Sequence, residues 1–310
     1  MAEARLGTWH GEPAVTLSAG DLATTFLPSV SMLGVSLAHR GEELLAPVAP
    51  LARYRAGHVT GIPILHPWAN RLAQRRYRVG RLEATVAPDA PVDRRGLPIH
   101  GTVHGLPFDV AYLGATAGRA RLVARLDAAA QPSIMTSFPF PHLLEIEVTV
   151  RATTPNGATE LRVRTTVRAT GRRAVPVSFG WHPYFKLPDA SRAAWRLRLP
   201  ARRHETLDAR QLPTGAFVPE PAEDRPIAGR TFDDHYALGR DRRFELATAR
   251  RCLTLRFDRN YPYAQIYVPA GKTFAAIEPM VAPVNALVDR RAPLVPAGGT
   301  FTATWRATIA

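Results

Sequence analysis

The stretch Leu144-Glu145-Ile146-Glu147-Val148-Thr149-Val150-Arg151 alternates apolar and polar residues without a break. Successive side chains of a β-strand point to opposite faces, so this period of two gives one apolar face and one polar face. Such alternation is typical of an antiparallel sheet that buries one face and leaves the other in water. The stretch therefore predicts a strand that covers a core.

The same alternation recurs along the chain, in Leu161–Arg168, Trp195–Leu199, Leu253–Phe257 and Thr300–Ala307. Turn signals lie between such segments, at Pro155-Asn156-Gly157, Thr170-Gly171, Pro269-Ala270-Gly271 and Gly298-Gly299. Short strands separated by turns predict an all-β fold, a large antiparallel β-sandwich. No linker or internal repeat interrupts the pattern, so we expect a single domain over residues 1–310.

Helical patterns are scarce in this sequence. The weak helix candidates are residues 41–45 and the alanine-rich segment 126–130. Residues 208–232 contain four prolines and two glycines, which predicts a long surface loop.

Composition excludes several classes of protein. The 310 residues contain one cysteine, Cys252, so an intrachain disulfide framework is impossible and a reducing compartment is favoured. The first residues, Met1–Arg5, lack the apolar run of a signal peptide, and no run of 18 apolar residues could span a membrane. We therefore expect a cytoplasmic protein without a membrane partner.

The net charge of +14 raises the hypothesis of a nucleic-acid binder. Of the 40 basic residues, however, only Lys186 and Lys272 are lysines. Such an arginine bias is also what codon usage in a GC-rich genome produces. The arginines are dispersed and form no basic tail or amphipathic basic helix, so we expect no nucleic-acid partner.

Two polar clusters lie in the first third of the chain. In Pro67-Trp68-Ala69-Asn70-Arg71, arginine offers forked donors to hydroxyl groups and tryptophan an apolar face to a sugar ring. The alternative is a core tryptophan beside an arginine that caps a loop. In Ile99–Gly105, His100 and His104 are each followed by glycine, which indicates an open loop. A metal site is disfavoured there, because glycines oppose the helix that such spacing requires.

Three further clusters lie in the second half of the chain. His182 is flanked by aromatic residues, either as a proton-transfer group or as a structural histidine. The pair Asp233-Asp234 could hold hydroxyl groups or form a turn. Glu278 follows an apolar strand, where a carboxylate is costly unless paired or functional, so it is the candidate general base. We expect Pro279 to end that strand.

Taken in order, these motifs resemble those of the aldose 1-epimerase (galactose mutarotase) family over residues of about 20–310. The residues that carry the resemblance are Pro67–Arg71, His100-Gly101, His182-Pro183-Tyr184-Phe185, Asp233 with Tyr236, and Glu278-Pro279. The resemblance implies a galactose mutarotase-like supersandwich that binds a sugar on a concave face. It also implies an isomerase of carbohydrate metabolism that needs no cofactor or metal and acts as a monomer or homodimer.

Residue roles follow from the resemblance. His182 matches the general acid and Glu278 the general base, while His100, Arg71 and Asp233 match residues that bind sugar hydroxyls and Asn70 supports Arg71. The spacing to Tyr236 favours Asp233 over Asp234. Departures from the family pattern are His104 in the loop and Lys186 after Phe185. The expected activity is interconversion of the anomers of a free hexose, and the alternatives are a hexose-6-phosphate 1-epimerase or a non-catalytic sugar-binding protein.

Overall fold

The structure, a computed structural model, describes residues 1–153 and 158–310. The predicted turn at Pro155-Asn156-Gly157 lies outside these residues. Two short α-helices, α1 (Leu51–Arg55) and α2 (Pro132–Ser137), accompany 3₁₀ helices at Ala128–Ala130 and Arg192–Ala194.

All other regular elements are β-strands. In the first half of the chain they are β1 (Ala2–Trp9), β2 (Glu12–Ala19), β3 (Leu22–Leu27), β4 (Leu33–His39), β5 (Glu42–Glu43), β6 (Ile64–Leu65), β7 (Arg76–Val79), β8 (Leu82–Thr85), β9 (Asp109–Thr116), β10 (Arg119–Asp127), β11 (His142–Thr153) and β12 (Ala158–Ala169). In the second half they are β13 (Val175–Pro176), β14 (Gly180–Trp181), β15 (Tyr184–Phe185), β16 (Arg196–Leu199), β17 (Arg202–Leu207), β18 (Pro213–Glu220), β19 (Glu223–Pro226), β20 (Phe232–Leu238), β21 (Arg243–Ala247), β22 (Cys252–Phe257), β23 (Tyr263–Val268), β24 (Ala275–Met280), β25 (Leu294–Val295) and β26 (Thr300–Ile309).

Two large antiparallel sheets make up most of the fold. The nine-stranded sheet has the order β19-β16-β21-β22-β26-β12-β11-β10-β9, and the eight-stranded sheet has the order β18-β17-β20-β23-β24-β14-β6 with β15 beside β24. A five-stranded meander, β1 to β5, and two strand pairs, β7-β8 and β13-β25, complete the architecture. The predicted all-β antiparallel sandwich is confirmed.

The two large sheets pack face to face through aromatic side chains. Trp181 of the eight-stranded sheet meets Trp305 of the nine-stranded sheet edge-on, with ring centroids 6.1 Å apart. The indole N–H of Trp181 donates to Thr165 Oγ1 across the same interface at 3.0 Å. Both tryptophans are fully buried, so each sheet turns one face to this core and the other away from it.

The five alternating stretches all form strands. They correspond to β11, β12, β16, β22 and β26, although β16 begins at Arg196, one residue after the predicted start.

The expected long loop at 208–232 is wrong, because it contains β18 and β19. Each of these strands lies at the edge of its sheet. An edge strand has one side without a partner, so a proline that lacks an N–H is tolerated there. The prolines that suggested a loop therefore mark edge strands.

Three smaller expectations are also wrong. Residues 41–45 form a turn and the short strand β5, and 126–130 is the end of β10 followed by a 3₁₀ helix. The α-helices lie elsewhere, and at five and six residues they are too short to show a helical period. Pro279 does not end its strand, since β24 continues to Met280. β24 pairs with β15 at Ala276 and with β14 at Met280, which leaves Pro279 between the two pairings.

Candidate active site

His182 and Glu278 meet on the face of the eight-stranded sheet that points away from the sandwich core. Trp181 and Ile277 are core residues, and alternation along each strand turns the next residue to the opposite side. Pairing of Gly180 with Met280 brings the two segments together. His182 Nε2 lies 3.1 Å from Glu278 Oε1.

This pair is almost fully buried, at 6% exposure for His182 and 1% for Glu278. Burial lowers the pKa of His182 to about 3. Burial, followed by the charge of Asp233, raises the pKa of Glu278 well above its ordinary value, and Arg71 opposes that shift. Both pKa shifts arise because burial disfavours an isolated charge, so the pair is most stable when its net charge is zero. In that state one proton can lie on either the carboxylate or the imidazole.

Aromatic rings hold His182 in this position. Tyr184 stacks on its ring at a centroid distance of 4.4 Å, and Tyr267 meets it edge-on at 5.9 Å. His100 also meets it edge-on, at a centroid distance of 5.8 Å. The imidazole therefore has little freedom to turn away from Glu278.

A row of polar side chains crosses four strands on the same face as Glu278. The strand registers place Glu205 opposite His235, His235 opposite Gln265, and Gln265 opposite Glu278. All four residues are at most 3% exposed. Arg291 closes the far end through a 2.9 Å hydrogen bond from Nη1 to Glu205 Oε1.

Gln265 connects this row to two of the predicted site residues. Its amide Nε2 donates to Asp233 Oδ1 at 2.9 Å, and its Oε1 accepts from Asn70 Nδ2 at 3.3 Å. Gln265 is not among the site residues predicted from the sequence. The signal that could have found it is the alternation in Tyr263–Val268, where Ala264 and Ile266 are core residues and Gln265 faces the other way.

Arg71 is held from two directions. Its Nε donates to Asp93 Oδ2 at 2.8 Å, and its Nη1 donates to Asn70 Oδ1 at 3.1 Å. Burial opposes ionisation of Asp93, but the hydrogen bonds from Arg71 and from the backbone of Leu97 and Arg95 lower its pKa below the usual value. Asp93 is a second residue that the sequence analysis missed, because nothing in its local pattern distinguishes it from a turn residue.

His100 lies beside Arg71 because two loop segments run next to each other. Isolated bridges join Arg71 to Ile99 and His66 to Gly101. His100 Nδ1 accepts the backbone N–H of Asn70 at 3.2 Å, which leaves Nε2 as the protonated nitrogen of the neutral ring. Burial, with the charges of His182 and other neighbours, holds the pKa of His100 well below its usual value. His100 can therefore donate one hydrogen bond to a ligand.

Asp233 and Asp234 point to opposite sides of β20. Asp233 is exposed and contacts Gln265. Asp234 lies 3.5 Å from His204 Nε2 and within 3.5 Å of the Tyr236 hydroxyl. Of the two, Asp233 is the one that lies with Gln265 and Glu278.

The structure therefore brings together all six predicted site residues, which are Asn70, Arg71, His100, His182, Asp233 and Glu278. His104 and Lys186 contact other parts of the chain. His104 packs edge-on against Tyr54 of α1, with ring centroids 5.3 Å apart, in the wall of a cavity of about 510 Å³. Lys186 donates its backbone N–H to the carbonyl of Leu44.

In residues 1–153 and 158–310, no group of three or more His, Cys, Asp or Glu side chains is arranged to hold a metal ion. Within the same residues, no helix is long and apolar enough to cross a membrane.

Solved structures of similar fold are found for essentially the whole chain. A galactose mutarotase-like protein from Clostridium acetobutylicum has a TM-score of 0.83 at 17% identity, covering 100% of this chain and 98% of that one. A galactose 1-epimerase from Lactobacillus acidophilus has a TM-score of 0.77 at 13% identity, covering 100% and 99%. A galactose mutarotase-like protein from Lactobacillus casei has a TM-score of 0.71 at 18% identity, covering 96% and 100%.

At these low sequence identities, the TM-scores establish a shared fold, the galactose mutarotase-like sandwich. A search of the curated proteins found no significant match. The family model described as aldose 1-epimerase matches residues 33–303, which is most of the chain. By that match, the chain belongs to the aldose 1-epimerase family.

Proposed function

We propose that the protein is an aldose 1-epimerase that interconverts the α and β anomers of a free hexose. The observation that carries this proposal is the buried contact between His182 and Glu278, 3.1 Å apart and surrounded by hydrogen-bonding side chains. Membership of the aldose 1-epimerase family supports the same reaction class.

The reaction requires two proton transfers, one at each of two oxygen atoms bonded to the same carbon atom. Opening the sugar ring removes a proton from the C1 hydroxyl and delivers one to the ring oxygen, and both oxygens are bonded to C1. The state of the neutral pair in which the shared proton lies on His182 is the reactive one: Glu278 would then accept the first proton and His182 would donate the second. The aldehyde then rotates about C1–C2 and closes with the two roles reversed. Proton transfers alone complete this cycle, so it calls for no cofactor.

The remaining residues would hold the sugar in place. Arg71 and His100 offer N–H donors and Asp233 offers a carboxylate acceptor, which suits hydroxyl groups that both donate and accept. Asn70 and Asp93 fix the Arg71 guanidinium, and Gln265 fixes Asp233. Such positioning makes proton transfer effective, because the reacting atoms are held at hydrogen-bond distance.

Polarimetry on freshly dissolved α-D-glucose and α-D-galactose tests the proposal. Glu278→Gln and His182→Asn should each reduce the rate constant by a factor of about 10²–10⁴, since each removes one proton-transfer group. His58→Asn is the matched control, because His58 is exposed and is not one of the side chains from which the site is built. Normal rates in both site variants, with unchanged thermal unfolding, would contradict the proposal.

The hexose-6-phosphate alternative has one observation in its favour. Arg94 is exposed, and its charge acts on Tyr267 beside His182. An arginine at that position could contact a phosphate group. Polarimetry with glucose and with glucose 6-phosphate separates the two, and a clear preference for the phosphorylated sugar would replace the free hexose as substrate. Binding of a sugar without any acceleration would favour the non-catalytic alternative.

A further inference from the structure

Four arginines face one another across four neighbouring strands of the nine-stranded sheet. The registers place Arg162 of β12 opposite Arg306 of β26, Arg306 opposite Arg256 of β22, and Arg256 opposite Arg243 of β21. Residues directly opposite share one face of the sheet, and neighbouring strands lie only about 4.8 Å apart. Like charges in such positions destabilise a sheet. This arginine row therefore has an electrostatic cost that a bound anion would remove.

Carboxylates of the protein neutralise only part of the row. Arg243 pairs with Glu245, and Arg306 Nε lies 3.9 Å from Glu160 Oε1. That Glu160 oxygen is already held by Arg151 at 2.9 Å. Among residues 1–153 and 158–310, neither Arg162 nor Arg256 has a carboxylate oxygen within 4.0 Å. The positive charge at the centre of the row is thus only partly neutralised by carboxylates.

A cavity of about 310 Å³ opens beside the same row. Its walls include Arg243, Arg256 and Arg306, together with Arg240 and Arg242 from the turn between β20 and β21. The cavity also contains Asp241 and Asp258. Five arginines and two aspartates therefore line this cavity.

Both aspartates are engaged by the backbone. Asp258 accepts the backbone N–H groups of Asn260 at 2.9 Å and of Thr304 at 2.7 Å. Asp241 accepts the backbone N–H of Arg243 at 3.0 Å. These contacts give the carboxylates backbone partners, and among residues 1–153 and 158–310 neither aspartate has an arginine nitrogen within 4.0 Å, so the guanidinium donors have capacity for an external anion.

We propose that this cavity is a binding site for a small, multiply charged oxyanion of the phosphate class. Guanidinium groups match phosphate oxygens with paired hydrogen bonds. The arginine row spans only three strand spacings, or about 14 Å. Glu147, Glu160 and Glu245 lie on the same face beside it. A long polyanion that followed the row would meet these carboxylates, whereas a phosphate or pyrophosphate fits within the cavity, whose wall contains none of the three.

The site is separate from the sugar site. Trp305, next to Arg306, points into the core and meets Trp181, while His182 points away from that core on the other sheet. The two sites therefore lie on opposite outer faces of the sandwich. The oxyanion is not the phosphate of a sugar bound at the His182–Glu278 pair.

Isothermal titration with pyrophosphate, in phosphate-free buffer at low salt, tests the proposal on the full chain. Arg256→Gln should weaken binding at least tenfold, because Arg256 lies in the middle of the row and lines the cavity. Arg168→Gln is the matched control: Arg168 is exposed on β12 and lies outside the row and the cavity. Its variant should bind within twofold of the unmodified protein.

Thermal unfolding gives a second readout that does not depend on a ligand titration. At low salt without phosphate, Arg256→Gln should raise the melting temperature by about 1–2 °C, since it removes repulsion from two neighbours. Added pyrophosphate should stabilise the unmodified protein more than this variant.

Four results would overturn the proposal. They are an absence of pyrophosphate binding, equal losses in Arg256→Gln and Arg168→Gln, an unchanged affinity in Arg256→Gln, and tighter binding of a single-stranded oligonucleotide than of pyrophosphate. None of these measurements uses sugar turnover, so failure of the oxyanion proposal can be distinguished from failure of the proposed epimerase activity.

Discussion

Asp93 stabilises the positive charge of Arg71 at the proposed sugar site, where both side chains are largely buried. Asp93→Asn keeps the shape but removes the charge. We expect the KM for the sugar to rise about tenfold, a loss of about 1.4 kcal/mol, because Arg71 is no longer fixed in direction. The rate constant at saturation should change much less, since Asp93 contacts neither His182 nor Glu278. Polarimetry over a range of sugar concentrations measures both.

The control for that change is Asp89→Asn, an exposed aspartate four residues earlier in the same region. It should leave KM and the maximal rate unchanged. Equal effects of the two variants, or a collapse of the maximal rate alone in Asp93→Asn, would be inconsistent with a positioning role for Asp93.

Residues within a distinctive local pattern could be identified from the sequence. Glu278 stood out as a carboxylate after an apolar strand, and His182 as a histidine among aromatics. Gln265 and Asp93 have no such local signature. Their place in the site depends on strand register and loop folding, which bring together residues as far apart as Asn70 and Gln265.

At the scale of elements, the loop that carries His100 depends on Gly101. Gly101 has a φ of +76°, and a Cβ at that position would lie 2.1 Å from the carbonyl oxygen of His66. Gly101→Ala would push the two loop segments apart and move His100 away from His182. We expect a loss of at least about 3 kcal/mol in the free energy of unfolding, together with loss of sugar turnover. Urea unfolding measures the first effect.

Gly96→Ala separates backbone strain from this close contact. Gly96 has a similar φ of +78°, but a Cβ there would meet nothing within 4 Å. We expect Gly96→Ala to cost only about 1 kcal/mol, the penalty for a left-handed alanine. Equal losses in the two variants would show that the contact between Gly101 and His66 is unimportant.

Sequence patterns predicted β-strands well where one face of the strand is buried and the other is exposed to solvent. β11, β12, β22 and β26 fit this rule, because each has a core face and an outer polar face. β18 and β19 did not, since edge strands accept prolines that obscure the pattern. A single sequence also lacks a signal for very short helices such as α1, whose position is set by the packing of Tyr54 rather than by periodicity.

At the scale of the whole molecule, two buried histidines join the large sheets. His66 follows β6 of the eight-stranded sheet, and His142 begins β11 of the nine-stranded sheet. His142 Nδ1 lies 2.7 Å from the Phe140 carbonyl oxygen, and the two Nε2 atoms lie 2.8 Å apart. The carbonyl needs a proton on Nδ1 of His142, so His66 donates from its Nε2. This arrangement requires His142 to be neutral, and burial favours the neutral form of His66 as well.

We therefore expect the protein to lose stability in mild acid. Burial holds the pKa of His66 well below its usual value and lowers that of His142 to about 4. The unfolded chain, with histidine pKa values near 6.5, binds these protons first. The contribution of the two neutral histidines to the free energy of unfolding is thus complete above about pH 6.5 and decreases as the pH falls towards 4. At pH 5 each histidine would cost about 2 kcal/mol.

Urea unfolding between pH 7.5 and pH 5 measures this effect before most carboxylates titrate. His142→Gln should be less stable than the unmodified protein at pH 7.5 but should lose less on acidification. His58→Gln, at an exposed position, should follow the unmodified protein throughout. An unfolding midpoint that is constant over this pH range would contradict the expectation.

The row from Glu205 through His235 and Gln265 to Glu278 sets a limit on how this chain can change in evolution. The row exists because the strand registers place these four side chains opposite one another on one face of the sheet. One inserted or deleted residue within β23 would turn Gln265 towards the core. Length changes should therefore be tolerated in the connections between these strands and eliminated by selection within them. Relatives with diverged sequences should differ in loop length while keeping the parity of the residue count inside β20, β23 and β24.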